Sequence, residues 1–153
     1  AWATHQKGGA LPVFDPVAHS RSVDLVRGLV VSGSLGGVHD VSTGGLAVAL
    51  AEMAVRSGVG IDVTGIPDTS HLFAELPSRA VVAVAPDQVE AVLALAESAG
   101  VPAVELGSAG GDRLRFATGH EGAAPLVDLD LDEVTSAWRD RLPEALGTGT
   151  TQA

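Results

Sequence analysis

Short apolar runs bounded by glycine and proline alternate along this chain with stretches whose apolar residues recur every three or four positions. That alternation restricts the fold more than any single residue does, because strands and amphipathic helices interleaved in this way bury their apolar surfaces by laying the helices on a sheet. The expected class is α/β (α+β), a mixed β-sheet with packed helices. Val23, Val26 and Val30 share a helical face that Leu25 and Leu29 widen, which predicts a first helix over Ser22 to Val31. Val38 to Val41 reads as a buried strand end, and Leu46, Leu50 and Met53 predict a second helix after it. Ile61 and Val63 alternate with polar neighbours before the turn Gly65-Ile66-Pro67, and the unbroken apolar run from Ala80 to Ala85 suits a central strand. Asp87 with Glu90 forms a capping-box pattern ahead of Val89, Val92, Leu93 and Ala96, and Gly100 supplies the stop. Val101 to Leu106 and Arg113 to Phe116 read as strands flanking the glycine-rich turn Gly107 to Gly111, an expected hairpin. Asp130 with Glu133 opens a final amphipathic helix that carries Val134 and Trp138.

At 153 residues the chain is long enough for one core. The expected organisation is a linker or incomplete domain entry over residues 1–16, one domain over 17–143, and a flexible tail over 144–153. The entry segment mixes Trp2, His5, two adjacent glycines and two prolines without periodicity, and no first strand completes the alternation. The absence of cysteine excludes disulfides, thiolate nucleophiles and cysteine-ligated zinc. Nine basic against nineteen acidic side chains give a net charge of −10, which opposes non-specific nucleic-acid binding because little is present to replace phosphate counterions. No apolar run has the length of a bilayer span or the shape of a signal peptide, so no membrane partner is expected and the chain reads as soluble and cytoplasmic.

The segment with most chemical potential runs from His39 to Ala54, a strand, a polar glycine turn and a helix. Free amides at a helix start, with Gly44 and Gly45 permitting close backbone approach and Ser42 and Thr43 offering hydroxyls, make a candidate phosphate or nucleotide position. The same glycines would equally serve to pack the helix against the strand, with Ser42 as its cap. His39 and Asp40 are either an acid/base pair or a hydrogen-bonded pair that shapes the turn. His5, His19, His39, His71 and His120 show no metal-binding spacing, and no Gly-x-Ser-x-Gly elbow accompanies Ser42. No residue is assigned as catalytic or as a metal ligand.

As a pattern, His39-Asp40-Val41-Ser42-Thr43-Gly44-Gly45-Leu46 running into the alanine-rich Glu52-Met53-Ala54 helix resembles the C-terminal-type domain of the aminoimidazole ribonucleotide (AIR) synthetase-like superfamily. Within that superfamily it is most similar to the second such domain in the phosphoribosylformylglycinamidine synthase family, synthetase subunit. Thr43 departs from the acidic residue the family carries there. Leu72-Phe73-Ala74-Glu75-Leu76-Pro77-Ser78-Arg79 resembles the family's Phe-small-Glu-x-x-x-Arg segment. Trp2, His5, Gly8-Gly9, Pro12 and Asp15 look like its linker, and the Leu131-Asp132-Glu133 helix with Trp138 looks like its last element.

The resemblance implies a ligase of de novo purine biosynthesis in which ATP activates the formamide oxygen of formylglycinamide ribonucleotide. Ammonia from a glutaminase subunit then attacks, and Mg²⁺ supports the phosphoryl transfer. It implies that the nucleotide and metal ligands lie mostly on N-terminal-type domains, so that preceding domains of the same chain are partners. This segment alone would be inactive and hold no certain cofactor. Where a first-copy domain carries a substrate-contacting Glu-Ser-Gln, this chain has Glu75-Leu76-Pro77, which leaves Ser42, Thr43, Gly44 and Gly45 as an auxiliary nucleotide position supported by His39, Asp40, Glu75 and Arg79. The alternatives are a C-terminal domain of a sibling, such as AIR synthetase itself, selenophosphate synthetase, thiamine-monophosphate kinase or a hydrogenase maturation factor, and a non-enzymatic binding module.

Overall fold

The computed structural model describes residues 12–119 and 124–148. Trp2, His5, Gly8-Gly9, His120 and residues 149–153 therefore lie outside the described residues.

Helix α1 spans Pro16–Val31 and begins well before Ser22. Asp15 explains the earlier start: its carboxylate accepts from the amides of Val17 at 2.9 Å and Ala18 at 3.1 Å, and Pro16 supplies a preset φ in the first turn. The face that packs is Leu25, Val26 and Leu29, whereas Val23 and Val30 stay about half exposed at 46% and 50%.

Two sheets follow. Strand β1 (Gly37–Asp40) pairs antiparallel with β3 (Ala80–Ala83), His39 opposite Val81. The ladder is continued at both ends by Gly36 N–H to Ala83 O at 2.8 Å and Val41 N–H to Arg79 O at 2.9 Å. Two expectations change here. Strand β1 is only half-buried, with Val38 outward, and the Ala80 to Ala85 run is not a central strand, since β1 is its sole partner among the described residues. An apolar run records burial on two faces, not neighbours on two edges, and α2 below covers one face of this ladder without adding a strand.

The second sheet has the order β4-β2-β5-β6, built from β2 (Ile61–Val63), β4 (Gly107–Ala109), β5 (Arg113–Phe116) and β6 (Val127–Asp130). Strands β2 and β5 run parallel, and the outer pairs are antiparallel, so the sheet is mixed. Val101 to Leu106 forms no strand; the pairing falls on the glycine stretch instead, where a Cβ at Gly107 would collide with the Asp62 carbonyl oxygen. Nor do β4 and β5 form the expected hairpin, because β2 lies between them. The adjacent antiparallel pair is β5 with β6, and β6 is a strand that sequence patterning missed.

Helices α2 (Gly45–Ser57), α3 (Thr69–Phe73), α4 (Val89–Ser98) and α5 (Leu131–Ala145) complete the fold. The capping box expected for α4 does not form. Pro86 starts a 3-10 turn through Asp87 to Gln88, so the cap position falls on Gln88 and Asp87 is drawn out of reach. Gly100 does end that helix, at φ 65°, with its amide on Glu97 O and the Val101 amide on Ala96 O, both at 2.9 Å. Asp130 caps α5 through the Asp132 amide at 2.9 Å, and the helix continues through Pro143 to Ala145. The core lies between α2, α3, α5 and the inner face of the four-stranded sheet: Leu46, Ala49, Leu50, Ala54, Val63, Ile66, Leu72, Leu114, Phe116 and Leu131 form one buried cluster. Helix α2 touches β1, β3, α3 and α5, which makes it the element that joins the two sheets and presents the glycine turn at its start.

Candidate functional site

The turn between β1 and α2 is built by conflict between two demands. Val41 must turn into the core, where it is 6% exposed, and five residues later Leu46 must be buried as well, so the chain reverses over Ser42 to Gly45. Gly44 and Gly45 absorb the reversal in the left-handed region, at φ 84° and 70°. The Gly45 amide donates to Ser42 O at 3.0 Å, and Ser42 and Thr43 are exposed at the tip. The cap position falls on Gly44, so Ser42 lies outside the helix rather than at its cap.

Two neighbours then define the turn. The Gly44 amide donates to Glu75 Oε1 at 2.8 Å, which brings a carboxylate to the positive end of the α2 dipole. A Cβ on Gly45 would stand 2.7 Å from Leu72 O and from the Phe73 carbonyl carbon, so Gly45 is what lets α3 lie against the start of α2. Glu75 belongs to a tight segment that also holds Ser78 at a positive φ of 64° and Arg79. Ser78 Oγ is 2.8 Å from His19 Nδ1 on α1, Arg79 donates to Ala74 O at 3.3 Å, and Arg79 O receives the Val41 amide. The structure thus brings Glu75 directly onto Ser42–Gly45 and ties Arg79 to it through the backbone.

His39 is directed elsewhere. Its Nε2 is 2.8 Å from Glu52 Oε2 on α2, and its Nδ1 is 2.7 Å from the backbone carbonyl of Asp40; the Asp40 carboxylate is 3.7 Å away and largely in solvent. Both ring nitrogens therefore face acceptors, which only the imidazolium satisfies together. The His39 pKa is raised, first by the Asp40 carbonyl, against the opposing effect of burial, and then by Glu52. The pairing with Asp40 is thus mainly through the backbone, and Glu52 is the partner that sequence reasoning missed. Its signal was present: Glu52 is an acidic residue set in the otherwise apolar run Leu46 to Val55.

The turn thus joins exposed hydroxyls to a helix start that already holds a carboxylate, while His39 is locked between β1 and α2 beside it. Among the described residues no group of three or more His, Asp or Glu side chains converges in a way that could hold a metal ion.

Residues 2–118 match the AIR synthase related protein, C-terminal domain, family. The chain belongs to that family. It is 40% identical over 136 residues to the phosphoribosylformylglycinamidine synthase subunit PurL of Methylocella silvestris, covering 87% of this chain and 18% of that protein. With the protein of the same name from a Nocardioides species it shares 41% identity over 142 residues, 92% of this chain and again 18% of the relative. The chain thus spans under a fifth of the length of these curated relatives. Among solved structures, T. maritima PurL complexed with FGAR matches with a TM-score of 0.70 at 19% identity, over 86% of this chain and 23% of that one, which shows the shared fold. Structures of T. maritima PurL complexed with ATP and of PurLQS match with TM-scores of 0.68 at 19% and 18% identity, over 83% and 82% of this chain and 23% of each of those chains.

Proposed function

We infer that this chain works as the C-terminal domain of a phosphoribosylformylglycinamidine synthase, one segment of a longer ATP-dependent ligase of purine biosynthesis. The observation that carries this reading is the continuous match, at 40–41% identity, of nearly the whole chain to relatives that bear that one name. The full protein would convert formylglycinamide ribonucleotide, ATP and glutamine to the amidine, with a glutaminase subunit as source of ammonia; the PurLQS assembly of the T. maritima relative supports such a partner. The Mg²⁺ that accompanies ATP is assigned, on the family resemblance, to the preceding domains. No helix among the described residues is long and apolar enough to cross a membrane; the cytoplasmic location follows only from the purine-biosynthetic reading.

Within that protein Ser42, Thr43, Gly44 and Gly45 are the auxiliary phosphate-bearing position, with Arg79 nearby and His39 and Asp40 holding the strand that leads into it. Glu75 occupies the Gly44 amide, so an incoming anion competes with a carboxylate at the same helix end. Two experiments test the reading. Intact mass of the natural product should show a polypeptide several times longer than 153 residues, and amidine formation from ATP and ammonium should be absent from the isolated chain and present in the long one. Turnover by the 153-residue chain alone would overturn the assignment. For the turn, ADP and inorganic phosphate are titrated against the backbone amides of Ser42 to Leu46, in the native chain and in Glu75→Gln. Binding should strengthen in the variant; no shifts in either at millimolar ligand would leave Gly44 and Gly45 a packing role only.

A further inference from the structure

Helix α5 carries one apolar face along its whole length, but the body of the domain covers only half of it. Leu131 is buried at 7% exposed, and Val134 packs against the core one turn later. Trp138, Leu142 and, at the cap position just past the helix, Leu146 continue that face at four-residue spacing and are 49%, 68% and 67% exposed. On a helix of 3.6 residues per turn Arg139 and Arg141 border this stripe on opposite sides, while Asp140 and Glu144 lie behind it. Both arginines are exposed, and neither has an ion-pair partner among the described residues, in a chain whose acidic side chains outnumber its basic ones nineteen to nine. Trp and Arg around an apolar strip are the residue types that dominate binding energy at protein interfaces.

Charge decides what kind of surface fits. A second copy of α5 laid on the stripe would set arginine against arginine, whereas an apolar groove rimmed by carboxylates would pair with both. Two comparisons bear on which polypeptide would carry that groove. The family match ends at residue 118, so α5 lies beyond the matched residues. An alignment covering 92% of the chain nonetheless takes in most of α5, whichever end it omits, and that relative is more than five times the length of this chain. The helix is therefore carried by relatives far longer than this chain, whose remaining length offers other segments for it to meet.

We propose that the Trp138-Leu142-Leu146 stripe of α5 docks into an acid-rimmed apolar groove on another domain of the same long polypeptide, with Arg139 and Arg141 as its charge-selective border. The proposal rests on the reading of this chain as a segment of such a protein. Hydrogen exchange of the α5 amides from Trp138 to Leu146 tests it, compared between the 153-residue chain and the full-length polypeptide, each verified by intact mass. Exchange should be slower in the full-length protein by about tenfold or more, since docking suppresses local opening of a helix end. Arg139→Gln with Arg141→Gln should return most of that protection while the core amides of α2 stay unchanged. Equal exchange in a verified long polypeptide overturns the docking proposal and leaves the functional reading intact. Protection indifferent to the arginine pair overturns the acidic groove, and protection that grows with concentration of the 153-residue chain identifies a second copy as occupant instead. A natural product no longer than this chain would remove both.

Discussion

The two sheets of this domain differ in how completely they are closed. In the four-stranded sheet β2 and β5 each have neighbours on both edges and helices over one face, and Val63, Leu114 and Phe116 are 2%, 2% and 1% exposed. Among the described residues the two-stranded ladder of β1 and β3 has an unpaired edge on either side, and Val38 on β1, Val23 and Val30 on α1 and Leu95 on α4 are between 43% and 51% exposed. Sequence hydrophobicity does not distinguish these halves, since the run Ala80 to Ala85 is more continuously apolar than any strand of the closed sheet. Burial follows from the number of partners a strand has, and the ladder's half of the domain has fewer. The same contrast recurs within α5, whose first half is packed and whose second half is bare.

If the closed sheet holds most of the stability, its centre is the most costly place to cut. Phe116→Ala should destabilise the chain by about 3–5 kcal/mol in equilibrium urea unfolding. A loss under about 1 kcal/mol would erase the distinction between the halves. Gly45→Ala should come next, at about 2–4 kcal/mol, because it adds a side chain at positive φ and drives it into the α3 backbone at the junction of the two sheets. An unchanged midpoint would show that α3 can move away freely.

His39 sharpens the comparison by pinning the open ladder to α2. The fold raises its pKa, so its stabilising contribution is complete below the unfolded-state value of about 6.5 and is lost as pH rises through the higher folded value. The native chain should therefore lose stability as pH rises above about 6.5 relative to His39→Gln, and the substitution itself should cost about 1 kcal/mol at pH 6 as charge-assisted hydrogen bonds are removed. Parallel pH profiles would dismiss the Glu52 link as energetically idle. The smallest effect belongs to the open half: Val30→Ser should stay within about 0.5 kcal/mol, as a half-exposed valine on α1 has little burial to lose. A loss above 1 kcal/mol would mean that α1 is covered after all.

Much of the fold was legible along the chain. Helix α2 and the stop at Gly100 follow from periodicity and glycine chemistry that act within a few residues, and β5 follows from alternation. Asp15-Pro16 announced the true start of α1, a local signal outweighed in sequence reading by the valine pattern further on. Strand β6 and the displaced β4 were not legible, because Val127–Asp130 and Gly107–Ala109 are strands only through β5 and β2 beside them. The candidate site divided in the same way. The positive φ angles of Gly44 and Gly45 could be anticipated from residue type, whereas Glu75 on the Gly44 amide and Glu52 on His39 join segments far apart in the chain.

What the sequence determined by itself was the class of fold, the family and the turn's need for two glycines, since each depends on local sterics or on pattern along the chain. Only the tertiary structure decided that β2 separates β4 from β5, that the ladder stays half open, and that the helix start already holds a carboxylate. Those outcomes depend on which distant segments meet, and residues brought together by long-range packing carry no periodic or neighbouring signal of their contact.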